Sequence, residues 1–85
     1  MSRELYIKKC APIDLYYIST KKSGSAETSV KSEYLSRMGE LHLCVGEGEN
    51  GGDFFTSAAE ARKICEIWGF TPVEDCHPSL FLRAN

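Results

Sequence analysis

The sequence predicts an α+β fold: an antiparallel sheet of four to five short strands packed against one main helix, residues 57–68. Three observations carry this. Several short runs, among them "ELYIKKC", "DLYYIST" and "ELHLCV", are rich in β-branched and aromatic residues or alternate apolar with polar. One later segment, "SAAEARKICEIWGF", repeats its apolar residues at helical spacing. The chain has 85 residues, 42% hydrophobic and 26% charged, the composition of one ordinary globular domain without room for a second core.

Along the chain, "ELYIKKC" and "DLYYIST" read as two strands joined by "API", where Pro12 lacks the amide a sheet ladder needs. "KKSGSAETS" is small, polar and glycine-containing, hence a loop. Residues 30–45 permit two readings. Val30, Tyr34 and Met38 would form a narrow helical stripe, whereas "EYLS-RMG-ELHLCV" reads as a hairpin turning at Gly39. The hairpin is preferred, with strands over 33–36 and 40–45. Leu41, Leu43 and Val45 would then face the core, with His42 and Cys44 on the other side.

Ser57 and Glu60 form the S-x-x-E pattern of a capping box, which starts the helix. Ala58, Ala61, Ile64, Cys65 and Trp68 share one face. Gly69 supplies the left-handed residue that ends many helices, and Phe70 can fold back onto Cys65. Trp68, Ile64 and Phe70 are the expected anchors of the core, with Leu41, Leu43, Val45, Ile7 and Ile18 from the sheet. After Pro72 the chain is read as the acidic turn "EDCHP". A last strand follows in "SLFL", with Leu80 and Leu82 on one face.

"GEGENGGDFF", from Gly46, invites three functional readings. A phosphate-binding loop requires GxxxxGK[ST]; here there are acids and no lysine, and a phosphate would be repelled. A calcium-binding EF-hand requires a ligand spacing this segment lacks. A loose calcium site through Glu47, Glu49 and Asp53 stays a minor alternative. The preferred reading is a turn: Asn50-Gly51 favours type I′ geometry, bringing Asp53–Phe55 back beside the strand that ends at Val45.

Cys10, His42, Cys44, Cys65, Cys76 and His77 include no paired zinc spacing of the C-x₂-C or H-x₃-H kind. No metal and no cofactor is expected. A cysteine nucleophile served by His42 or His77 has no recognisable local signature, and a non-catalytic protein is expected. The N-terminal "MSRELYIKK" is charged where a secretory signal is apolar, and runs such as Leu15–Ile18 are far too short to span a membrane. The expectation is a cytoplasmic protein with reduced cysteines; an oxidising compartment would allow two disulfides in any of three pairings.

Charge divides the chain. Residues 1–40 carry seven Lys/Arg and five Asp/Glu, a net +2, and residues 41–85 carry three and seven, a net −4. No dense basic face emerges of the kind that marks general nucleic-acid binding. Tyr6, Tyr16, Tyr17 and Tyr34 do lie near Lys8, Lys9, Lys21, Lys22, Lys31 and Arg37 in sequence, and such a sheet face could stack single-stranded bases.

The order of hairpins, then "GELHLCV-GEGENGGDFF", then the capped helix "SAAEARKICEIWGF", resembles small αβ accessory proteins encoded by phages and other mobile elements. That group includes inhibitors of host defence and of host enzymes, anti-CRISPR proteins among them. The resemblance covers most of the chain as a layout and carries no functional residue with it. What it implies is a type of partner: a host protein. The leading expectation is therefore a non-enzymatic interaction protein that binds and modulates a host protein, by inhibition in the first instance, with nucleic-acid-handling proteins among the candidates. Its acidic second half would dock on a basic surface through Glu47, Glu49 and Asp53. The alternatives are a single-stranded nucleic-acid binder using Tyr16, Tyr17, Lys21 and Lys22, and a homo-oligomeric subunit pairing by a sheet edge. Monomer or dimer is left open.

Overall fold

The computed structural model describes residues 2–10, 13–23, 31–46 and 51–75. Strands β1 (Glu4–Cys10) and β2 (Leu15–Ser19) pair antiparallel, with Ile7 opposite Ile18 and Lys8 opposite Tyr17. Strands β3 (Tyr34–Leu35) and β4 (Leu41–His42) form the second hairpin, turning at Gly39 as the sequence predicts. Helix α1 (Ala58–Ile67) follows, and then strand β5 (Thr71–Glu74). The sheet order is β4-β3-β2-β1-β5. An α+β fold with a five-stranded sheet on one helix is thus present, but the sheet is mixed rather than antiparallel, because β5 runs parallel to β1.

β5 occupies Thr71–Glu74, where the sequence reading placed no strand, only the approach to an acidic turn after Pro72. Thr71 N–H donates to the Arg3 carbonyl at 2.9 Å and Asp75 N–H to the Ile7 carbonyl at 2.8 Å. Residues 71 and 75 therefore aim their amides at β1. In a strand, alternate amides point opposite ways, so the missing amide of Pro72 falls on the side away from β1. An edge position removes the usual objection to proline in a strand. The strand expected over "SLFL" lies outside the described residues.

The core is a single layer between sheet and helix. Leu5, Ile7, Ile18, Leu35, Phe55, Ala61 and Cys65 are fully buried, and Tyr16, Leu41, Ala58, Ile64 and Phe70 pack against them. Ile7 and Ile18 share this face by register, as expected. Three expected anchors do not: Val45, past the end of β4, is half-buried and outside this cluster, and Leu43 and Trp68 are exposed. Leu43 is 65% exposed, because β4 ends at His42 and the alternation no longer has a sheet to sit on. Trp68 is 45% exposed, because it caps the helix and projects past the edge of the core.

The helix ends follow the sequence closely. Ser57 is the N-cap, and its hydroxyl accepts the Glu60 amide at 3.1 Å. The Glu60 carboxylate reaches back one residue further than the simplest capping box, accepting the Thr56 amide at 3.0 Å. At the other end Gly69 has φ +84°. Phe70 N–H donates to the Cys65 carbonyl at 2.9 Å and Gly69 N–H to that of Glu66 at 3.1 Å, the paired closure of a Schellman motif.

The segment after the acidic loop departs from the expected hairpin. Gly52 exchanges hydrogen bonds with Cys44 and Gly46, but its bridge to Val45 is parallel. Phe55 does not return along Val45; it pairs antiparallel with Tyr16 of β2, through hydrogen bonds of 2.8 and 2.7 Å. Because β3 has only two residues, it leaves this part of the β2 edge unpaired, and Phe55 fills it. That placement turns Phe55 into the core and Phe54 to the opposite sheet face, beside Tyr17.

Candidate interaction surface

At one end of the molecule, the β3–β4 turn and the C-terminus of α1 gather apolar side chains that remain open to solvent. The turn is built from Ser36, whose buried hydroxyl accepts the amides of Met38 and Glu40 at 3.3 and 3.1 Å. Gly39 closes it with φ +83°, a conformation L-residues avoid. Trp68 lies directly on this glycine: a Cβ there would stand 2.6 Å from the indole Cδ2. The indole N–H donates to the Arg37 carbonyl at 2.9 Å. Trp68 is thereby held in place while half-exposed. Met38, in the same turn, is 72% exposed, and Ile67, beside Trp68 on the helix, is 60% exposed.

Arg37 fastens the turn to everything around it. Its amide donates to Asp53 Oδ2 at 2.7 Å, and its guanidinium donates to the Phe54 carbonyl at 3.0 Å. The same guanidinium sits 4.7 Å over the Phe55 ring and 3.4 Å from Glu60 Oε2. The ion pair is half-exposed and contributes little by itself, about 0–1 kcal/mol; the value of Arg37 lies in joining the β3–β4 turn to residues 53–55 and to α1 at once. The backbone amide of Thr56, with Arg37 as a lesser cause, holds the Glu60 carboxyl below its ordinary range. Arg37 entered the sequence reading only as one more basic residue near tyrosines, since none of its partners is a sequence neighbour.

The residues expected to bind a partner are placed as follows. Glu47 and Glu49 lie outside the described residues. Asp53 is half-buried, and its carboxylate is engaged on the Arg37 amide, which gives it a role inside the fold. The adjacent tyrosines split across the sheet. Tyr16 packs on the core, while Tyr17 faces the other way, edge-on to Tyr34 and Phe54 with centroids 5.7 and 6.5 Å apart. Lys21 is half-buried with its amide on the Ser19 hydroxyl, and Lys22 is exposed. Lys8, opposite Tyr17 in the register, lies 3.5 Å from the buried Asp75 carboxylate and donates to Ser23 at 3.0 Å. The open sheet face therefore has aromatic rings, but Lys8, the cation opposite Tyr17, is already paired with Asp75.

Cys10 is half-buried, Cys44 exposed and Cys65 buried. Burial pushes the Cys65 thiol up to about 11, which leaves almost no thiolate at neutral pH. Among the described residues no three His, Cys, Asp or Glu side chains converge as metal ligands, and no helix is long and apolar enough to cross a membrane. No protein-family model matches the chain, and neither a curated protein nor a solved structure matches it.

Proposed function

We propose that this chain is a non-enzymatic interaction protein that binds a host protein and modulates it, most simply by inhibition. One observation carries the reading: Trp68 stands half-exposed while its indole is hydrogen-bonded to the β3–β4 turn, with Met38 exposed in that turn and Ile67 exposed next to it on the helix. An apolar stripe that runs to the end of a helix normally closes into the core; here its last member is held outward. Tryptophan, methionine and arginine are also the side chains enriched at protein interfaces. Among the acids of the second half, Asp53, Glu60, Glu74 and Asp75 are each engaged within the fold. That shifts the emphasis from an acidic docking loop to this apolar surface.

The test is capture from bacterial lysate by the tagged chain, with and without nuclease, beside a variant carrying Met38→Lys and Ile67→Lys. Both side chains are exposed, so the variant keeps its fold. A single nuclease-resistant protein, captured near equal stoichiometry and lost with the variant, is the expected result. Recovery of nucleic acid, with proteins lost after nuclease treatment, would overturn it in favour of a single-strand binder acting through the Tyr17 and Tyr34 face. Nucleic-acid-handling proteins are the first class to look for among captured partners.

A further inference from the structure

Lys8, Ser23 and Asp75 meet on the sheet face turned away from α1, and they come from three separate segments. Ile7 and Ile18 are core residues, so alternation puts Lys8 of β1 and Ser19 of β2 on the opposite face. Thr20 stays anchored beside β3: its amide donates to the Glu33 carbonyl at 2.9 Å, and its hydroxyl accepts the Glu33 amide at 3.0 Å. Beyond it, residues 21–23 form a strap that leads away from β2 and reaches Lys8 of β1 and Asp75, the residue after β5. There the bonds close a triangle. The Ser23 amide donates to Asp75 Oδ2 at 2.6 Å, and the Lys8 ammonium lies 3.5 Å from the same oxygen. The ammonium also donates to Ser23 Oγ at 3.0 Å. The Asp75 side chain is only 3% exposed and that of Lys8 16%, so this set does not come apart one bond at a time. If the strap lifts, the carboxylate loses the amide and the ammonium loses the hydroxyl. If β5 leaves, the ammonium and the amide both lose their acceptor. Either way a charge stays buried with its pairing incomplete, which is less favourable than opening the whole set to water.

We infer that the strap, residues 21–23, and the edge strand β5 open and close as one cooperative unit, with the Lys8–Ser23–Asp75 triangle as its latch. An edge strand of four residues is the kind of element that opens ahead of the core. The β1–β2 ladder, at the middle of the sheet, stays closed while the unit opens. Opening bares the Lys8 ammonium on the face it shares with Tyr17, its partner in the register. The latch therefore sets how often that side of the open sheet face is accessible.

Hydrogen exchange of the whole chain, resolved amide by amide with NMR across a series of low urea concentrations, tests this. The Thr71 and Asp75 amides report on β5, and the Ser23 amide reports on the strap. One unit requires that all three share one opening equilibrium and one urea slope, both smaller than those of the β1–β2 amides. The coupling must also run in both directions. Ser23→Ala removes only the hydroxyl on the strap, yet it should speed exchange at Thr71 and Asp75 as much as at position 23, about tenfold. Thr71→Gly loosens the far end of β5, where the Thr71 and Ser2 hydroxyls meet, and should speed exchange at Ser23 about threefold. Acylation of the Lys8 amine, slower than that of exposed Lys22, should rise about tenfold in the Ser23 variant. Different urea slopes for strap and β5, or a variant felt only in its own segment, would overturn the inference, because the two would then open separately. Equal loosening of the β1–β2 amides would overturn it too, since only the whole domain would then open. Unchanged Lys8 acylation in the Ser23 variant would do the same.

Discussion

Replacing Gly39 by alanine should cost far more than replacing Gly69, although the two glycines have nearly the same backbone angle, φ +83° and +84°. An alanine forced into the left-handed region costs about 1–2 kcal/mol at either site. At Gly69 nothing lies within 4 Å of the added Cβ, so the backbone cost is the whole effect. At Gly39 the Cβ would meet Trp68 Cδ2 at 2.6 Å, Cε3 at 2.9 Å and Cε2 at 3.0 Å. Ordinary contact begins at 3.4 Å, so the rigid ring must retreat by 0.8 Å or more. Such a shift breaks the 2.9 Å bond from the indole to the Arg37 carbonyl, a loss of about 1 kcal/mol. The ring's contacts with the turn add about 1 kcal/mol more. Gly39→Ala should therefore destabilise by roughly 3 kcal/mol and Gly69→Ala by about 1 kcal/mol. Urea titrations followed by far-ultraviolet circular dichroism measure both. The Trp68 emission maximum should move to longer wavelength in the Gly39 variant alone. Equal urea midpoints for the two variants, with unchanged emission, would refute the claim that the turn holds the indole in place.

Phe55→Ala removes the largest fully buried side chain among the described residues and should cost about 3–5 kcal/mol, enough to broaden or abolish a cooperative thermal transition in a chain this small. Glu60 should give stability an acid limb. Its folded pKa lies below its unfolded one, so its contribution is complete above the ordinary glutamate range near ~4.3 and is lost as pH falls through the depressed folded value. Glu60→Gln should flatten that limb in urea midpoints measured at a series of pH values; an unchanged slope would count against the Thr56–Glu60 clasp. Asp75→Ala leaves the Ser23 amide, now 2.6 Å from Oδ2, and the Lys8 ammonium without that acceptor. The expected cost is about 2 kcal/mol, with Asp75→Asn costing less because an amide oxygen can still accept. Stabilities of both Asp75 variants equal to that of the unsubstituted protein would show that the clasp contributes nothing.

The features legible in the sequence are those whose hydrogen bonds close within a few residues. Ser57 and Glu60 announce the helix start, Gly69 and Phe70 its Schellman end, and Gly39 the turn between β3 and β4, because each bond joins neighbours in the chain. The alternation around Ile7 and Ile18 likewise places both on the buried face before any partner strand is known. Which strands meet is a different matter. β5 lies parallel to β1 across more than sixty residues of sequence, and its Pro72 fits there because an edge position points the missing amide outward.

The surface was less legible than the fold, for the same reason. Periodicity puts Trp68 on the apolar stripe, but only the finite extent of the sheet decides that the stripe outruns the core and leaves the ring on Gly39. Asp53 reads as a soluble loop acid until folding brings it to the Arg37 amide, and Phe55 reads as a strand residue beside Val45 until the shortness of β3 opens the β2 edge to it. Local chain chemistry thus settled where the helix begins and ends and where the β3–β4 hairpin turns, since those contacts cost little loop closure. The tertiary structure decided which edge each strand meets, which acid is spent, and which aromatic ring stays outside, because these depend on distances between residues that the chain brings together only when it folds.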